Sequence, residues 1–197
     1  MLDLCTGNGI IPLLLSAKTD AKYIVGMEIQ PDVAEMAKRS VKMNALDNKI
    51  EILTSDIKKA AEEISVASFD VVTVNPPYFK KGHGITNPND TKTIARHEIS
   101  CTLKDILEAA SFALRPGGSL YMVHKPQRLT DVIYEMRSLR IEPKVLKLVY
   151  PYVSSEPSMF LIEGKKDGNP EIRIEKPLII YGEDGNYTEE MYTIYGY

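Results

Sequence analysis

Short apolar runs with the character of buried strands recur along much of the chain. They are rich in Val, Ile and Tyr and lack the regular polar alternation of a half-exposed strand. The predicted strands in this part are Tyr23–Met27, Ile50–Leu53, Phe69–Val74 and Ser119–His124. Met1–Cys5 has the pattern of the second half of another buried strand, so we expect the chain to begin inside an element.

Helical patterns separate these strands. Pro31–Asn44 predicts an amphipathic helix with proline in its first turn. The residues on its apolar face are Val33, Ala37 and Val41. Leu103–Leu114 predicts a second helix, which the Arg115–Gly118 segment ends before the next strand begins. Alternation of this kind predicts βαβ units, and therefore a parallel sheet with helices on both faces.

The pattern changes after Leu139. Two strand-like runs, Val145–Tyr150 and Ser158–Glu163, are joined by a polar loop that is too short for a crossover helix. We therefore expect these two strands to pair in the antiparallel direction. Together, these patterns predict an α/β fold with one domain over residues 1–197. Within that domain, we expect residues 165–197 to form a C-terminal extension whose tyrosines pack over the sheet edge.

Composition and charge limit the classes of protein that fit. The chain has 197 residues, of which 44% are hydrophobic and 26% charged, as in one folded domain. Its longest apolar stretch, Ile10–Leu15, is far too short to span a membrane. The net charge of -3 argues against a protein that coats nucleic acid without preference. Cys5 and Cys101 are too few for a disulfide framework, which favours a reducing compartment such as the cytoplasm.

A glycine-containing turn joins the first strand to an apolar helical run: Asp3-Leu-Cys-Thr-Gly-Asn-Gly9. Glycines in such a turn let the backbone approach a ligand closely. Pro12 replaces the third small residue of the dinucleotide fingerprint, and Asp3 suits an ammonium group better than a pyrophosphate. These features favour S-adenosylmethionine over NAD, with a purely structural turn as the alternative. The predicted loop contacts are Thr6, Gly7, Asn8 and Gly9.

Acidic residues follow the next two strands. Glu28, followed by Ile29, lies about 20 residues after the glycines, where a carboxylate can accept both hydroxyls of a ribose. Asp56 follows the third strand and can accept from an adenine amino group, while Ile57 covers the ring. Because Asp56 also precedes the helical run Ile57–Ile64, it is equally suited to be a helix N-cap, and the two roles are compatible.

A proline-rich turn, Asn75-Pro76-Pro77-Tyr78, directly follows the strand Phe69–Val74. The prolines fix an extended turn, so the Pro76 carbonyl and the Asn75 amide oxygen can converge on one point. A planar NH2 group placed there donates to both oxygens, and its nitrogen lone pair can develop toward an electrophilic methyl group. Tyr78 offers a face for an unstacked base. We predict that these four residues are catalytic and that Asn75 also contacts the cofactor.

On the motifs Asp3–Gly9, Glu28, Asp56 and Asn75–Tyr78, the chain resembles the class I S-adenosylmethionine-dependent methyltransferases that modify amino groups. The resemblance implies a Rossmann-like fold with a mostly parallel seven-stranded sheet and an antiparallel C-terminal hairpin. It also implies S-adenosyl-L-methionine as the cofactor. Members carry residues before the first strand that help to close the cofactor site.

A narrower resemblance concerns the substrate. Asn-Pro-Pro-Tyr-Phe, the later Ala95-Arg96-His97-Glu98 and the Tyr-rich end are similar to the tRNA adenine-N6 methyltransferase family, which modifies valine tRNA beside its anticodon. This resemblance implies tRNA as the partner and an adenine of the anticodon loop as the methyl acceptor. No pattern in the sequence predicts an oligomeric state.

The segment from Tyr78 to Ser100 shows little periodicity, and a loop of this length is typical of a functional lid. We expect residues 78–100 to form a substrate lid whose basic groups meet phosphates, with a solvated insertion as the alternative. The predicted substrate contacts are Tyr78, Phe79, Lys80, Lys81, Arg96 and His97. Neither His83 nor His97 has metal-ligand spacing with a cysteine or another histidine, so no metal site is predicted.

Two other functions fit parts of the same pattern. A release-factor glutamine methyltransferase would also receive a planar NH2 group at an Asn-Pro-Pro-Tyr turn, although such enzymes carry a separate helical domain in front. Phe79 followed by Lys80 and Lys81 suits RNA better. A non-catalytic RNA-binding module of the same fold is the other alternative, and the short first strand supports it.

Overall fold

Nine strands form one mixed sheet in the computed structural model, which describes residues 1–77 and 101–196. The first seven are β1 (Leu2–Leu4), β2 (Ile24–Glu28), β3 (Ile50–Thr54), β4 (Phe69–Val74), β5 (Leu114–His124), β6 (Ile141–Tyr150) and β7 (Met159–Lys166). Two short strands follow, β8 (Arg173–Ile174) and β9 (Leu178–Ile179). The spatial order is β3-β2-β1-β4-β5-β7-β6-β8, and β9 also pairs with β6.

The strand directions confirm the predicted fold class. β1 pairs in parallel with both β2 and β4, and the parallel part of the sheet extends to β3 and β5. β7 lies between β5 and β6 and is antiparallel to both, so the predicted C-terminal hairpin is present. Because the chain moves from β1 to β2 on one side and later returns to β4 on the other, the topological switch point lies between β1 and β4.

The sheet has two strands more than the predicted seven. β8 and β9 come from the C-terminal extension, and each pairs in parallel with part of β6. Without them, one side of β6 would present unpaired N–H and C=O groups, which are costly to leave uncovered. The sequence pattern did not indicate these strands because two residues are too few to show a period of two.

Six α-helices accompany the sheet in the described residues. Their bounds are α1 (Ile10–Lys18), α2 (Pro31–Met43), α3 (Ala60–Glu63), α4 (Leu103–Ala113), α5 (Leu129–Ser138) and α6 (Glu189–Tyr195). Short 3-10 turns cover Ile57–Lys59 and Pro126–Arg128. Within this part of the chain, none of the helices combines the length and the apolar character needed to cross a membrane.

Helices pack on both faces of the sheet, as predicted. Successive residues of β2 join different apolar clusters: Ile24 packs with Ala37 of α2, whereas Val25 packs in the cluster that contains Leu107 of α4. Since neighbouring residues of a strand point to opposite faces, the two clusters lie on opposite sides of the sheet. A third, smaller cluster joins Val149 of β6 to the C-terminal extension.

Several predicted boundaries differ from the structure. In α2 the buried residue of the first turn is Ala34, and Val33 is only half-buried. The run Ile57–Ile64 divides into the 3-10 turn and the four-residue α3. β5 begins at Leu114, and its register against β4 shifts between Phe69 and Val71, so that the strand starts before the expected Ser119.

Candidate active site

A cavity of about 350 Å³ lies where β1, β2, β3 and β4 end. Its volume is within the range of small-molecule sites, roughly 300–1,000 Å³. The predicted site residues on its wall are Gly7, Glu28, Ile29, Asp56, Ile57, Asn75 and Pro77. Cys5, Met27, Gln30 and Cys101 complete the lining. Four chain segments that are distant in sequence therefore supply the predicted residues of one site.

The two glycines of the first turn have different tasks. Gly7 has a φ of +58°, and a Cβ atom added to it would meet no other atom within 4 Å. Its missing side chain therefore leaves the wall of the cavity open. Gly9 is buried, and an added Cβ would lie 3.1 Å from Cβ of Ala37, so this glycine permits the close approach of α1 to α2. Gly9 does not line the cavity.

Glu28 is the acidic residue of the site that is fixed most firmly. Its side chain accepts a hydrogen bond from the Gly7 backbone N–H at 3.0 Å through Oε2. Oε1 accepts from the backbone N–H of Gln30 at 2.9 Å and from the side-chain amide of Gln30 at 3.2 Å. Because a carboxylate oxygen can accept two hydrogen bonds, Oε2 retains capacity for a ligand hydroxyl at the cavity wall.

Asp3 lies beneath the glycine turn and does not line the cavity. Its carboxylate is fully buried and accepts hydrogen bonds from the hydroxyls of Thr6 and Thr73, each at 2.6 Å. Burial raises the pKa of Asp3 from 3.8 to about 6, and the two hydroxyls oppose that shift. Asp3 and Thr6 thus support the turn from below, and a direct ligand contact by either residue stays a prediction.

Asp56 is a helix N-cap, as predicted, and its contact with an adenine amino group stays a prediction. Oδ1 accepts from the backbone N–H of Lys58 at 3.0 Å, which makes Asp56 the N-cap of the 3-10 turn. The same residue lies on the cavity wall beside Ile57. Ile57 is buried and Ile29 is 39% exposed, and both line the cavity. That these apolar side chains cover a flat ring stays a prediction.

The Asn-Pro-Pro turn contributes two residues to the wall of the cavity. β4 ends at Val74, and Asn75 and Pro77 both line the wall, while Pro76 is buried between them.

Asn8, predicted as a loop contact, is exposed and outside the lining, and its Oδ1 accepts from the Ile10 backbone N–H at 3.3 Å. Outside the described residues lie the predicted lid 78–100 and the substrate contacts Tyr78, Phe79, Lys80, Lys81, Arg96 and His97.

Four lining residues were not among the predicted site residues. Cys5 was present in the quoted glycine motif, and Met27 and Gln30 flank the predicted pair Glu28 and Ile29. No sequence pattern near Cys101 indicated that it belongs to the site. Its place follows from topology, because a helix between two parallel strands begins at the edge where the first strand ends, and Cys101 directly precedes the N-cap of α4.

No group of three or more His, Cys, Asp or Glu residues within 1–77 and 101–196 is arranged to hold a metal ion. The lining combines the glycine turn, the carboxylates of Glu28 and Asp56, apolar side chains, two thiols, the Gln30 amide and the Asn-Pro-Pro turn.

Comparison with known proteins identifies the family. The family described as "Methyltransferase small domain" matches residues 1–139. The chain belongs to this family. It is similar to the tRNA1(Val) (adenine(37)-N6)-methyltransferase of Porphyromonas gingivalis, with 30% identity over 96% of this chain and 75% of the relative. A protein of the same name from Haemophilus influenzae is 26% identical over 96% of this chain and 78% of its own length.

Solved structures show the same fold in this methyltransferase. A predicted O-methyltransferase from Agrobacterium tumefaciens superimposes with a TM-score of 0.78 at 21% identity, over 96% of this chain and 84% of that one. A geranyl diphosphate C-methyltransferase from Streptomyces coelicolor, solved in complex with S-adenosyl-L-homocysteine, gives a TM-score of 0.61 at 10% identity, over 84% of this chain and 70% of that one.

This methyltransferase uses S-adenosylmethionine. The residues of the cavity fit that cofactor: the wall is open at Gly7, Glu28 retains acceptor capacity, and Ile29 and Ile57 present apolar surface. S-adenosylmethionine consists of an amino-acid part, a ribose and a base, and these three groups need these three kinds of contact.

Proposed function

We propose that this methyltransferase transfers a methyl group to the N6 amino group of an adenine in tRNA. The observation that carries the proposal is the position of Asn75 and Pro77 on the wall of the same cavity as Gly7 and Glu28. A hydrogen-bond acceptor for an amino group therefore adjoins the residues that suit the cofactor. Such proximity is the main requirement for a direct transfer.

The residues that would hold the cofactor are those of the cavity wall. Glu28 would accept from the ribose hydroxyls, and Asp56 would accept from the adenine amino group between Ile29 and Ile57. Asp3 and Thr6 would keep the glycine turn in place for these contacts. When bound, S-adenosylmethionine supplies an electrophilic methyl group.

The acceptor nitrogen would be oriented by the Asn-Pro-Pro turn. The side-chain oxygen of Asn75 and the carbonyl oxygen of Pro76 would each accept one N–H of the planar amino group. With both N–H groups held by acceptors, the nitrogen lone pair would develop toward the electrophilic methyl group as the nitrogen leaves the plane of the ring. No general base is needed before transfer, since the methylated nitrogen is acidic and loses its proton afterwards.

Adenine in tRNA is the acceptor that best suits the sequence of this turn. Two of the relatives carry the name tRNA1(Val) (adenine(37)-N6)-methyltransferase, and each alignment covers 96% of this chain. A base in a single-stranded loop leaves its stack at a cost of a few kcal/mol at most. Tyr78 and Phe79 would stack on the base, and Lys80, Lys81, Arg96 and His97 would contact the RNA.

The test is nucleoside analysis of tRNA after incubation with the protein and S-adenosylmethionine. We expect mass spectrometry to show a gain of N6-methyladenosine in bulk tRNA. Asn75→Ala should lower the rate of that gain by roughly 10²–10³-fold, the usual cost of losing one positioned hydrogen-bonding group. The affinity of the Asn75→Ala variant for adenosylhomocysteine, measured by calorimetry, should stay within a few-fold of the wild-type affinity.

The control variant is Asn169→Ala, which makes the same change at an exposed loop position that does not line the cavity. We expect it to methylate tRNA at the wild-type rate. A parallel incubation offers a bacterial release factor. Methylation of the release factor without methylation of tRNA would overturn the proposal, and so would an Asn75→Ala variant that modifies tRNA at the wild-type rate.

A further inference from the structure

The only two cysteines of the chain meet at the cavity. Cys5 and Cys101 are far apart in sequence, and both line the cavity. Cys5 directly follows β1, and Cys101 directly precedes Thr102, the N-cap of α4. Both side chains are partly buried and pack against the same apolar cluster. The fold therefore brings two thiols from opposite parts of the chain to one wall of the cavity.

The two thiols interact, and each shifts the pKa of the other. The interaction with Cys101, together with burial, raises the pKa of the Cys5 thiol. The same interaction lowers the pKa of the Cys101 thiol, which is the more accessible of the two. These are the directions expected when the Cys5 thiol donates to the Cys101 sulfur. The Cys101 sulfur is thus the better nucleophile of the pair, because the thiolate is the reactive form.

Cys5 lies at the turn that directly follows β1. Cys5 has a φ of +58°, in the left-handed region that L side chains seldom adopt. The strand ends there, and the chain turns into the Thr6–Gly9 loop. On the other side, a capping box between Thr102 and Asp105 fixes the first turn of α4 and with it the position of Cys101. Both cysteines are therefore anchored at ends of regular elements.

We propose that Cys5 and Cys101 are a redox modification site, at which a small disulfide of the glutathione type oxidises the pair to an intramolecular disulfide. The Cys101 thiolate attacks one sulfur of the small disulfide, whose S–S bond breaks and releases one small thiolate. The Cys5 thiol gives up its proton and attacks the Cys101 sulfur of the mixed disulfide, which releases the second small thiolate. The protein loses two electrons and two protons, and the small disulfide becomes two thiols.

The disulfide changes the wall of the cavity. It fixes the sulfur–sulfur separation at about 2.05 Å and so draws the start of the glycine turn toward the start of α4. Gly7 and Cys101 line the same cavity, so this movement narrows the cavity beside the Gly7 backbone. This second part of the inference rests on the assignment of the cavity to the cofactor. A misplacement of about 1 Å in a site can lower the reaction rate by roughly 10²-fold.

The first experiment follows the thiols and does not depend on activity. The reduced chain of 197 residues is incubated with glutathione at increasing ratios of the oxidised to the reduced form, quenched with acid and weighed by mass spectrometry. We expect the product to be lighter by two hydrogens and to carry no glutathione. A non-reducing peptide map should join the peptides that contain Cys5 and Cys101. Persistent glutathione adducts, or free thiols at every ratio, would overturn the proposal.

Two single variants test the order of the steps. Cys5→Ser keeps a hydroxyl that can donate to Cys101, and we expect it to retain one glutathione on Cys101. Cys101→Ser should acquire glutathione on Cys5 more slowly, because Cys5 is the more buried thiol with the raised pKa. Equal rates of modification in the two variants would overturn the assignment of Cys101 as the attacking thiol.

The second experiment measures the effect on the cavity. Calorimetry gives the affinity for adenosylhomocysteine of the reduced, the oxidised and the re-reduced wild type. We expect oxidation to weaken binding by roughly tenfold or more and re-reduction to restore it. The double variant Cys5→Ser/Cys101→Ser, which has no thiol to modify, is carried through the same oxidation and serves as the control for other effects of the oxidant. A disulfide that forms without a change in affinity would leave the modification site in place and overturn its coupling to the cavity.

Discussion

At the end of β1, one carboxylate connects the glycine turn to the strand that carries the Asn-Pro-Pro turn. Asp3 accepts from Thr6 in the turn and from Thr73 on β4, only two residues before Asn75. Three segments of the site are therefore tied together by a group that does not line the cavity. The sequence indicated that an acid belongs at this strand end, but whether it faces the ligand or the protein depends on the surrounding hydroxyls.

The burial of Asp3 predicts a specific dependence of stability on pH. Because its pKa in the folded protein, about 6, lies above its ordinary value of 3.8, folding favours the protonated carboxyl. That stabilisation is complete below about pH 4 and is lost as the pH rises to about 6. Relative to Asp3→Asn, we expect the free energy of unfolding of the wild type to fall over this interval by about 3 kcal/mol, at about 1.4 kcal/mol per pH unit.

Denaturant unfolding of both proteins across this pH range measures the difference. Asp20→Asn, the same substitution at an exposed position, controls for the change in net charge. The carbon-13 shift of the Asp3 carboxyl group gives its titration midpoint directly, which we expect near pH 6. A midpoint near 4, or a stability difference that does not change with pH, would contradict the burial of this carboxylate.

At the scale of elements, the apolar pattern was sufficient to predict the existence of the seven main strands. The predicted Phe69–Val74 coincides with β4, and the other six predictions each overlap a strand. The signal is strongest in β1 and β2, which are buried along their whole length, because burial on both faces dictates an apolar run. The bulge at the start of β5 was not predicted, because Arg115–Gly118 has the composition of a turn and is held in the sheet by pairing on both sides of it.

The start of α4 matters to the site because Cys101 is adjacent to it. The Thr102 hydroxyl accepts from the Asp105 backbone N–H at 3.2 Å, and the Asp105 carboxylate accepts from the Thr102 backbone N–H at 2.7 Å. We expect Thr102→Ala to lower the free energy of unfolding by about 1 kcal/mol, because it leaves a helix N–H without its cap.

The matched control is Thr102→Ser, which keeps the hydroxyl and should retain most of the stability. Urea unfolding of the wild type and the two variants provides the comparison. Equal stability of the alanine and serine variants would show that the hydroxyl does not cap α4.

At the scale of the whole molecule, the site is assembled by topology. β1 to β4 end at one edge of the sheet, so Gly7, Glu28, Asp56 and Asn75 meet there although each belongs to a different segment. This meeting was predictable, because parallel strands bring their carboxyl ends together. The inward turn of Asp3, the packing role of Gly9 and the place of Cys101 were not, because each depends on tertiary neighbours that a local pattern does not contain.

The central claim is that the cavity at this edge holds the cofactor against the Asn-Pro-Pro turn. A crystal structure of the protein with adenosylhomocysteine tests it most directly. We expect the ribose hydroxyls within hydrogen-bond distance of Glu28 and the thioether sulfur facing Asn75 and Pro76. A ligand bound outside this cavity, or a turn that faces away from the sulfur or is separated from it by packed side chains, would contradict the claim.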